Sequence, residues 1–251
     1  MGVNSAYAAF AAQFPPLDVT RADGLLCAGG DLCPERLLAA YSLGIFPWYE
    51  EGLPILWWSP NPRCILPLND FRLPRRSARK IRQTPFAITL DTAFDRVIRA
   101  CAAPRKASTS TWIIPEMIAA YNRLFALGYA HSIEVWLGAD LVGGLYGIAF
   151  GRAFFGESMF HIEAEASRAA LHALVSLLLL RKVTLLDCQQ ETPHIMRMGG
   201  CTVPRNTFLA LLHAALEPLP EAEGNDAVFP WPGWGVTYAY SAESGSWTAK
   251  S

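Results

Sequence analysis

The chain has 251 residues, of which 52% are hydrophobic and 17% charged, enough for one large domain or two smaller ones and unlike a disordered polymer. A formal net charge of −1 points by itself to no particular partner. The six cysteines form no Cys-x-x-Cys pair and show no zinc spacing. The N-terminus lacks a leader's basic and apolar regions. The longest apolar run, between Arg168 and Arg181, is too short for a bilayer, so a reducing cytoplasm and no membrane contact are expected.

Texture divides the chain into residues 1–62, 63–216 and 217–251. The first part predicts one clear helix, Pro34–Leu43, with Asp31 as a possible cap and Gly44 as its stop. From Ile45 to Pro62 the prolines argue against a regular ladder and suggest a loop packed by its own aromatics. The middle part predicts a basic helix over Pro74–Gln83, a strand over Phe86–Leu90 and helices over Thr92–Cys101 and Pro115–Leu127. Strands over His131–Leu137, Leu141–Phe150 and Ala153–Phe160 are separated by turn residues and read as an antiparallel meander. A long apolar helix, Glu163–Leu180, is followed by a strand, Val183–Cys188, and helices over Glu191–Met198 and Arg205–Leu216. This order predicts an α+β fold, a mixed sheet flanked by helices like that of acyl-CoA N-acetyltransferases, behind a small N-terminal domain. Residues 217–251, with five acids and one lysine, read as a partly ordered tail in which Phe229, Trp231 and Trp234 are candidates to dock on the body.

Charge is unevenly spread. Residues 61–106 hold eleven Lys/Arg against three Asp/Glu, so an otherwise acidic chain carries a basic belt. The belt is either a solvated helix face or a phosphate-binding surface, with Arg75, Arg76, Arg79, Lys80 and Arg82 as its densest part. Aromatic residues before and after it, Tyr41, Trp48 and Trp112, are either packing anchors or platforms for stacked bases.

Standard catalytic devices are missing from the sequence: there is no P-loop, no nucleophile elbow and no His-Glu-x-x-His, and the pyrophosphate loop that would bind coenzyme A is not found after Phe160. What stands out instead is polar residues in apolar strands. Glu157 lies in Phe154-Phe155-Gly156-Glu157-Ser158-Met159-Phe160, and Asp187 closes the run Val183–Leu186, with Gln189 two residues on. A carboxylate buried there costs several kcal/mol unless paired. Asp187 either caps the helix expected near Glu191 or belongs to a site that receives a cationic amine.

At these residues the chain resembles the leucyl/phenylalanyl-tRNA–protein transferase family, over about Phe14 to Leu216. The carrying motifs are Gly29-Gly30-Asp31-Leu32, Gly44-Ile45-Phe46-Pro47-Trp48, Trp57-Trp58-Ser59-Pro60, Pro62-Arg63, Thr111-Trp112-Ile113, His131–Trp136, Leu141–Gly147, Gly156–Phe160, Leu186-Asp187-Cys188-Gln189 and Thr192-Pro193-His194. The resemblance implies a catalytic domain of acetyltransferase-like fold that needs neither metal nor coenzyme A, so no cofactor is expected. It implies transfer of Leu or Phe from leucyl-tRNA or phenylalanyl-tRNA to acceptor proteins with an N-terminal Arg or Lys, marking them for N-end-rule degradation. An apolar pocket discriminates little between similar side chains, so weak transfer of Met is expected as well. A monomer is expected.

Matched position by position, the resemblance puts Trp48 and Trp112 on the 3′-terminal adenosine with Tyr41 nearby. It puts Leu145, Phe154, Met159 and Leu171 at or near the pocket for the transferred side chain, Glu157 on the aminoacyl group, and Asp187 with Gln189 as the catalytic pair. His161, Arg168, Leu145 and Arg197-Met198-Gly199-Gly200 depart from the family's usual residues and bear on the shape of that pocket. Two rival readings share some of these features. A non-enzymatic tRNA-binding module would explain the belt and the tryptophans, and a small-molecule N-acyltransferase would share the fold.

Overall fold

The computed structural model describes residues 5–103, 111–217, 238–241 and 244–249. Two sheets organise it. The smaller has three strands in the order β1 (Leu25–Ala28), β3 (Leu56–Trp58), β2 (Phe46–Pro47). It forms where a loop is expected, because Pro47 sits on an edge strand, where a missing N–H breaks no ladder. Around it lie α1 (Ser5–Ala11), which the sequence reading did not anticipate, and α2 (Pro34–Ser42). Asp31 does not serve as the N-cap of α2. Cys33 holds that position, and the Asp31 carboxylate accepts its backbone N–H at 3.0 Å from outside the helix.

The larger sheet has nine strands. Its centre is the expected meander, β6 (Ala130–Leu137), β7 (Asp140–Phe150) and β8 (Ala153–His161), paired antiparallel. On one side β8 pairs in parallel with β9 (Leu185–Gln189), which pairs with β4 (Arg63–Ile65) and then β10 (Cys201–Val203). On the other side come β5 (Phe86–Leu90) and the hairpin of β11 (Tyr238–Ser241) and β12 (Ser246–Ala249). β4 and β10 are three residues long, too short to show a period of two in sequence. The β11–β12 hairpin makes part of the tail an ordered extension of the sheet. Its Tyr240 is buried, with its hydroxyl 3.1 Å from His172 Nδ1. Phe229, Trp231 and Trp234 lie outside the described residues.

Helices cover both faces. α6 (Ala166–Leu180) packs on one face with α3 (Arg75–Gln83). α2, α4 (Phe94–Ala102), α5 (Pro115–Ala126) and α8 (Arg205–Leu216) pack on the other. The architecture is a mixed α+β fold, as expected. α6 starts three residues later than its apolar pattern suggests, because Glu165 is left-handed (φ 72°) and cannot continue a helix backwards. α7 is only Pro193–Met196 and is capped by the Thr192 side chain on the Ile195 N–H at 3.2 Å. Among the described residues no helix is long and apolar enough to cross a membrane.

Two irregularities in the ladders shape the sheet centre. Between β7 and β8, Tyr146 pairs with Ser158 and Gly147 with Gly156, so Glu157 is an extra, unpaired residue. Between β4 and β9, Cys64 pairs with Gln189 and Ile65 with Asp187, so Cys188 is extra. Such bulges re-aim neighbouring side chains. The first needs a glycine opposite it: a Cβ on Gly147 would come within 2.3 Å of the Phe155 carbonyl oxygen and 2.4 Å of the Phe154 ring.

Candidate active site

The parallel ladder of β8 and β9 ends at Phe155 opposite Asp187, yet β8 runs on to His161 and β9 to Gln189. Beyond that point the strands are no longer paired, and Glu157 and Gln189 face each other across the opening. Gln189 Nε2 donates to Glu157 Oε1 at 2.8 Å. Gln189 has a left-handed backbone (φ 61°), so it does not extend the strand face that Asp187 occupies.

Glu157 is half-buried and held from three sides. Besides Gln189, the Tyr41 hydroxyl from α2 lies within hydrogen-bond reach of Oε1 at 2.8 Å and the Tyr121 hydroxyl from α5 within reach of Oε2 at 2.9 Å. The two phenol oxygens are 2.6 Å apart. Burial pushes the Glu157 carboxyl up to about 7; the two phenols oppose the rise, the Asp187 charge adds to it and the Gln189 amide again opposes it. Burial and the nearby carboxylate push both phenols well above their ordinary value. Tyr41 is fully buried and bonded to Glu157, so it offers no open face for stacking.

Asp187 is shut off from solvent and does not cap α7. Arg63 Nε donates to its Oδ1 at 2.9 Å and Arg63 Nη2 to its Oδ2 at 2.6 Å, and the Gln189 backbone N–H donates to Oδ1 at 2.8 Å. Arg63 is itself buried between the rings of Phe46 and Phe208, 4.8 and 4.5 Å from their centroids, and donates to the Gly44 carbonyl at 3.2 Å. Gly44 is left-handed (φ 74°), and a Cβ there would lie 2.9 Å from the Phe208 ring. Arg63 therefore belongs to the site and not to the basic belt in which its charge is counted from sequence. The signal that could have found it is Asp187: a carboxylate at the end of an apolar strand needs a cation.

Trp48 and Trp112 wall one cleft of about 600 Å³, together with Tyr49, Trp58, Cys101 and Ser158, the neighbour of Glu157. Trp48 is 38% exposed. Trp58, which sequence reasoning did not single out, lies 5.4 Å from it ring to ring and donates its Nε1–H to the Trp48 carbonyl at 2.6 Å. Its neighbour Trp57 is core, with its N–H on the Gly29 carbonyl at 2.8 Å.

Leu145, Phe154 and Leu171 are buried in the core on the α6 side, with half-buried Met159 against them. Trp112, Tyr41 and Tyr121 belong to the core on the opposite side of the sheet. Leu145 and Phe154 border a narrow seam, shared with His131 and Ser132, that has no room for a water molecule. The five basic residues Arg75, Arg76, Arg79, Lys80 and Arg82 are all exposed on α3, which turns Ser77 and Ile81 inward. Arg105 and Lys106, counted in the belt, lie outside the described residues.

This site lies inside a recognisable family. The model described as Leucyl/phenylalanyl-tRNA protein transferase matches residues 65–213, and that of the family's N-terminal domain matches residues 30–61. The chain belongs to the leucyl/phenylalanyl-tRNA–protein transferase family. It is 55% identical over 203 residues to a protein of that name from Nitratidesulfovibrio vulgaris, covering 80% of this chain and 87% of the relative. A relative of the same name from Desulfatibacillum aliphaticivorans is 54% identical over 205 residues, covering 81% and 88%. One from Legionella pneumophila is 50% identical over 215 residues, covering 86% and 96%. Members of the leucyl/phenylalanyl-tRNA–protein transferase family are aminoacyltransferases, and this chain is an enzyme of that class.

Proposed function

We propose that the protein moves leucine or phenylalanine, and methionine less well, from its charged tRNA to acceptor proteins that begin with Arg or Lys. The transfer marks those proteins for N-end-rule degradation in the cytoplasm. The enzyme works as a monomer and without a cofactor. Residues 1–62 act as the N-terminal module, 63–216 as a catalytic module of acetyltransferase-like architecture, and 217–251 as an accessory tail. The observation that carries the reading is the placement of Glu157 and Gln189 at the unpaired end of two parallel strands, next to a cleft walled by Trp48 and Trp112.

The chemistry asked of these residues is modest. An aminoacyl ester is already activated, so the enzyme has only to hold it beside an amine and let one proton move. The acceptor nitrogen attacks the ester carbonyl, the new C–N bond forms as the C–O bond to the ribose breaks, and the proton lost by nitrogen ends on the ribose oxygen. Positioning alone can supply up to roughly 7–11 kcal/mol of the barrier reduction. The 3′-terminal adenosine stacks between Trp48 and Trp112, with the exposed arginines of α3 on acceptor-stem phosphates. Glu157 receives the α-ammonium of the aminoacyl group. Its side chain passes through the opening between β8 and β9 toward Met159, Leu171, Leu145 and Phe154, where flexible Met159 moves to admit it.

Gln189 hydrogen-bonds the reacting groups. Asp187 acts through Gln189: both its oxygens are engaged by Arg63 and one also by the Gln189 N–H, which supports a role in setting the Gln189 backbone and not in taking the amine's proton. Transfer assays with Asp187→Ala and Gln189→Ala test the assignment. Both should lose most turnover, and near wild-type turnover in both would overturn it. An apolar pocket discriminates by about 1–3 kcal/mol per methylene. Charged tRNAs compared side by side should therefore rank Leu and Phe above Met, with little transfer of Ile or Val.

A further inference from the structure

The oxygens around Glu157 require more hydrogens than two phenols can supply. Tyr41 and Tyr121 are 2.6 Å apart, Tyr41 is 2.8 Å from Oε1 and Tyr121 is 2.9 Å from Oε2. These three contacts close a ring, and each needs one hydrogen. The phenols, held well above their ordinary value, bring two. The third has to sit on Glu157. Oε1 already accepts from Gln189 Nε2 at 2.8 Å, which suits it to the carbonyl role and places the hydrogen on Oε2. Oε2–H then donates to Tyr121, Tyr121 to Tyr41, and Tyr41 to Oε1, and every contact is satisfied. With an ionised Glu157, one pair of oxygens would face each other without a hydrogen, inside a buried cluster.

We infer that the free enzyme holds Glu157 as a neutral acid, closed into a hydrogen-bond ring by the positioning residues Tyr41 and Tyr121, and that the arriving α-ammonium of the donor expels its proton. The inference rests on the proposed role of Glu157 as receiver of that ammonium. The groups that face Glu157 explain the exchange. They are Tyr41 from α2, Tyr121 from α5, Tyr146 from β7, and Asp187 and Gln189 from β9. All are neutral or acidic, and Arg63, the cation bonded to Asp187, is spent on it through both Nε and Nη2. Among the described residues no ion pair joins Glu157 to a cation. A carboxylate in such a place lacks a counter-charge until the substrate brings one. The Tyr146 ring stands nearly perpendicular to that of Tyr121, with centroids 5.7 Å apart. Its buried hydroxyl has no hydrogen-bond partner among the described residues, and burial first, then the nearby Glu157 carboxyl, push it well above its ordinary value. The step balances: acid plus ammonium gives a carboxylate–ammonium pair and one proton released to the buffer.

The test is titration calorimetry of the whole enzyme with adenosine carrying phenylalanine in a stable 3′-amide, in buffers of different ionisation enthalpy. At about pH 6 an α-amine is charged. The wild type should release close to one proton per analogue bound there, and none by about pH 8. Glu157→Gln copies the neutral acid, with its NH₂ facing Tyr121 and its carbonyl facing Tyr41 and Gln189, so it should fold. It should release no proton and bind roughly tenfold or more weakly. No proton release by the wild type at about pH 6, with weak binding by Glu157→Gln, would overturn the ring and leave the ammonium role standing. Equal binding by wild type and Glu157→Gln would instead remove Glu157 from the ammonium site.

Discussion

Asp187 takes the guanidinium of Arg63 on both of its carboxylate oxygens, at 2.9 and 2.6 Å, where neither residue meets solvent. The pair ties β4 to β9 and holds the backbone N–H of Gln189 on its third bond.

Breaking that pair from either end leaves a charge buried and alone, a loss of about 3–5 kcal/mol. Arg63→Met should therefore lower unfolding stability by that amount, measured by denaturant titration. Arg63→Lys should recover little of it, because an ammonium cannot make the two-pronged contact. Replacing both partners, Arg63→Met with Asp187→Leu, should restore much of the stability while transfer stays low. Stability and activity then separate, which a purely structural ion pair would not do.

Glu157 gives a pH signature in folding. With its carboxyl raised to about 7, the native state keeps a proton that the unfolded chain has released above about pH 4.5. Stability from this group is full below about 4.5 and is lost as pH rises through 7. Glu157→Gln lacks that loss. Its stability relative to wild type should rise by on the order of 3 kcal/mol between about pH 4.5 and 7, and stay flat above about 8. Paired denaturant titrations across pH show the slope or its absence.

Much of the frame was legible in the sequence, and the exceptions have physical causes. The meander, α3, β5 and α8 carry clear periodicity or turn signals, so their positions followed from pattern. β2, β3, β4 and β10 are two to three residues long and owe their pairing to neighbours far along the chain. The β11–β12 hairpin stands because β5 offers it an open edge, which no local pattern reveals. At the site, Glu157, Asp187 and Gln189 could be singled out as polar residues in apolar strands. Of their partners only Tyr41 stood out, and for another role: Asp187 demands a cation, but Arg63 is 124 residues away from it, and Tyr121 is 36 residues from Glu157. The bulge at Glu157 and the left-handed turn at Gln189, which aim the two side chains at each other, are properties of strand register.

The two cleft tryptophans should act on binding and not on the chemical step. Base stacking is worth roughly 1–3 kcal/mol, so Trp48→Ala and Trp112→Ala should each raise KM for charged tRNA about 5- to 150-fold, with kcat little changed. Trp57→Ala, next in sequence to cleft-lining Trp58 but buried in the core, should instead destabilise the fold by about 3–5 kcal/mol. Steady-state kinetics beside a melting curve separates the two kinds of tryptophan.

The exposed face of α3 makes a salt-dependence prediction. Replacing Arg75 and Arg79 with Gln removes two potential phosphate contacts without touching buried Ser77 or Ile81. The slope of log affinity for tRNA against log salt should flatten by roughly 1.5–2. An unchanged slope would mean that this face looks away from the nucleic acid.

The most direct measurement of the central claim is the mass of an acceptor. Purified protein is incubated with phenylalanyl-tRNA and a peptide beginning with Arg, and in parallel with the same peptide acetylated at its N-terminus. The free peptide should gain the mass of one phenylalanine residue at its N-terminus, the acetylated one none, and Gln189→Ala should yield little product. An unchanged peptide mass with intact, bound phenylalanyl-tRNA would contradict the account and leave a tRNA-binding protein in its place.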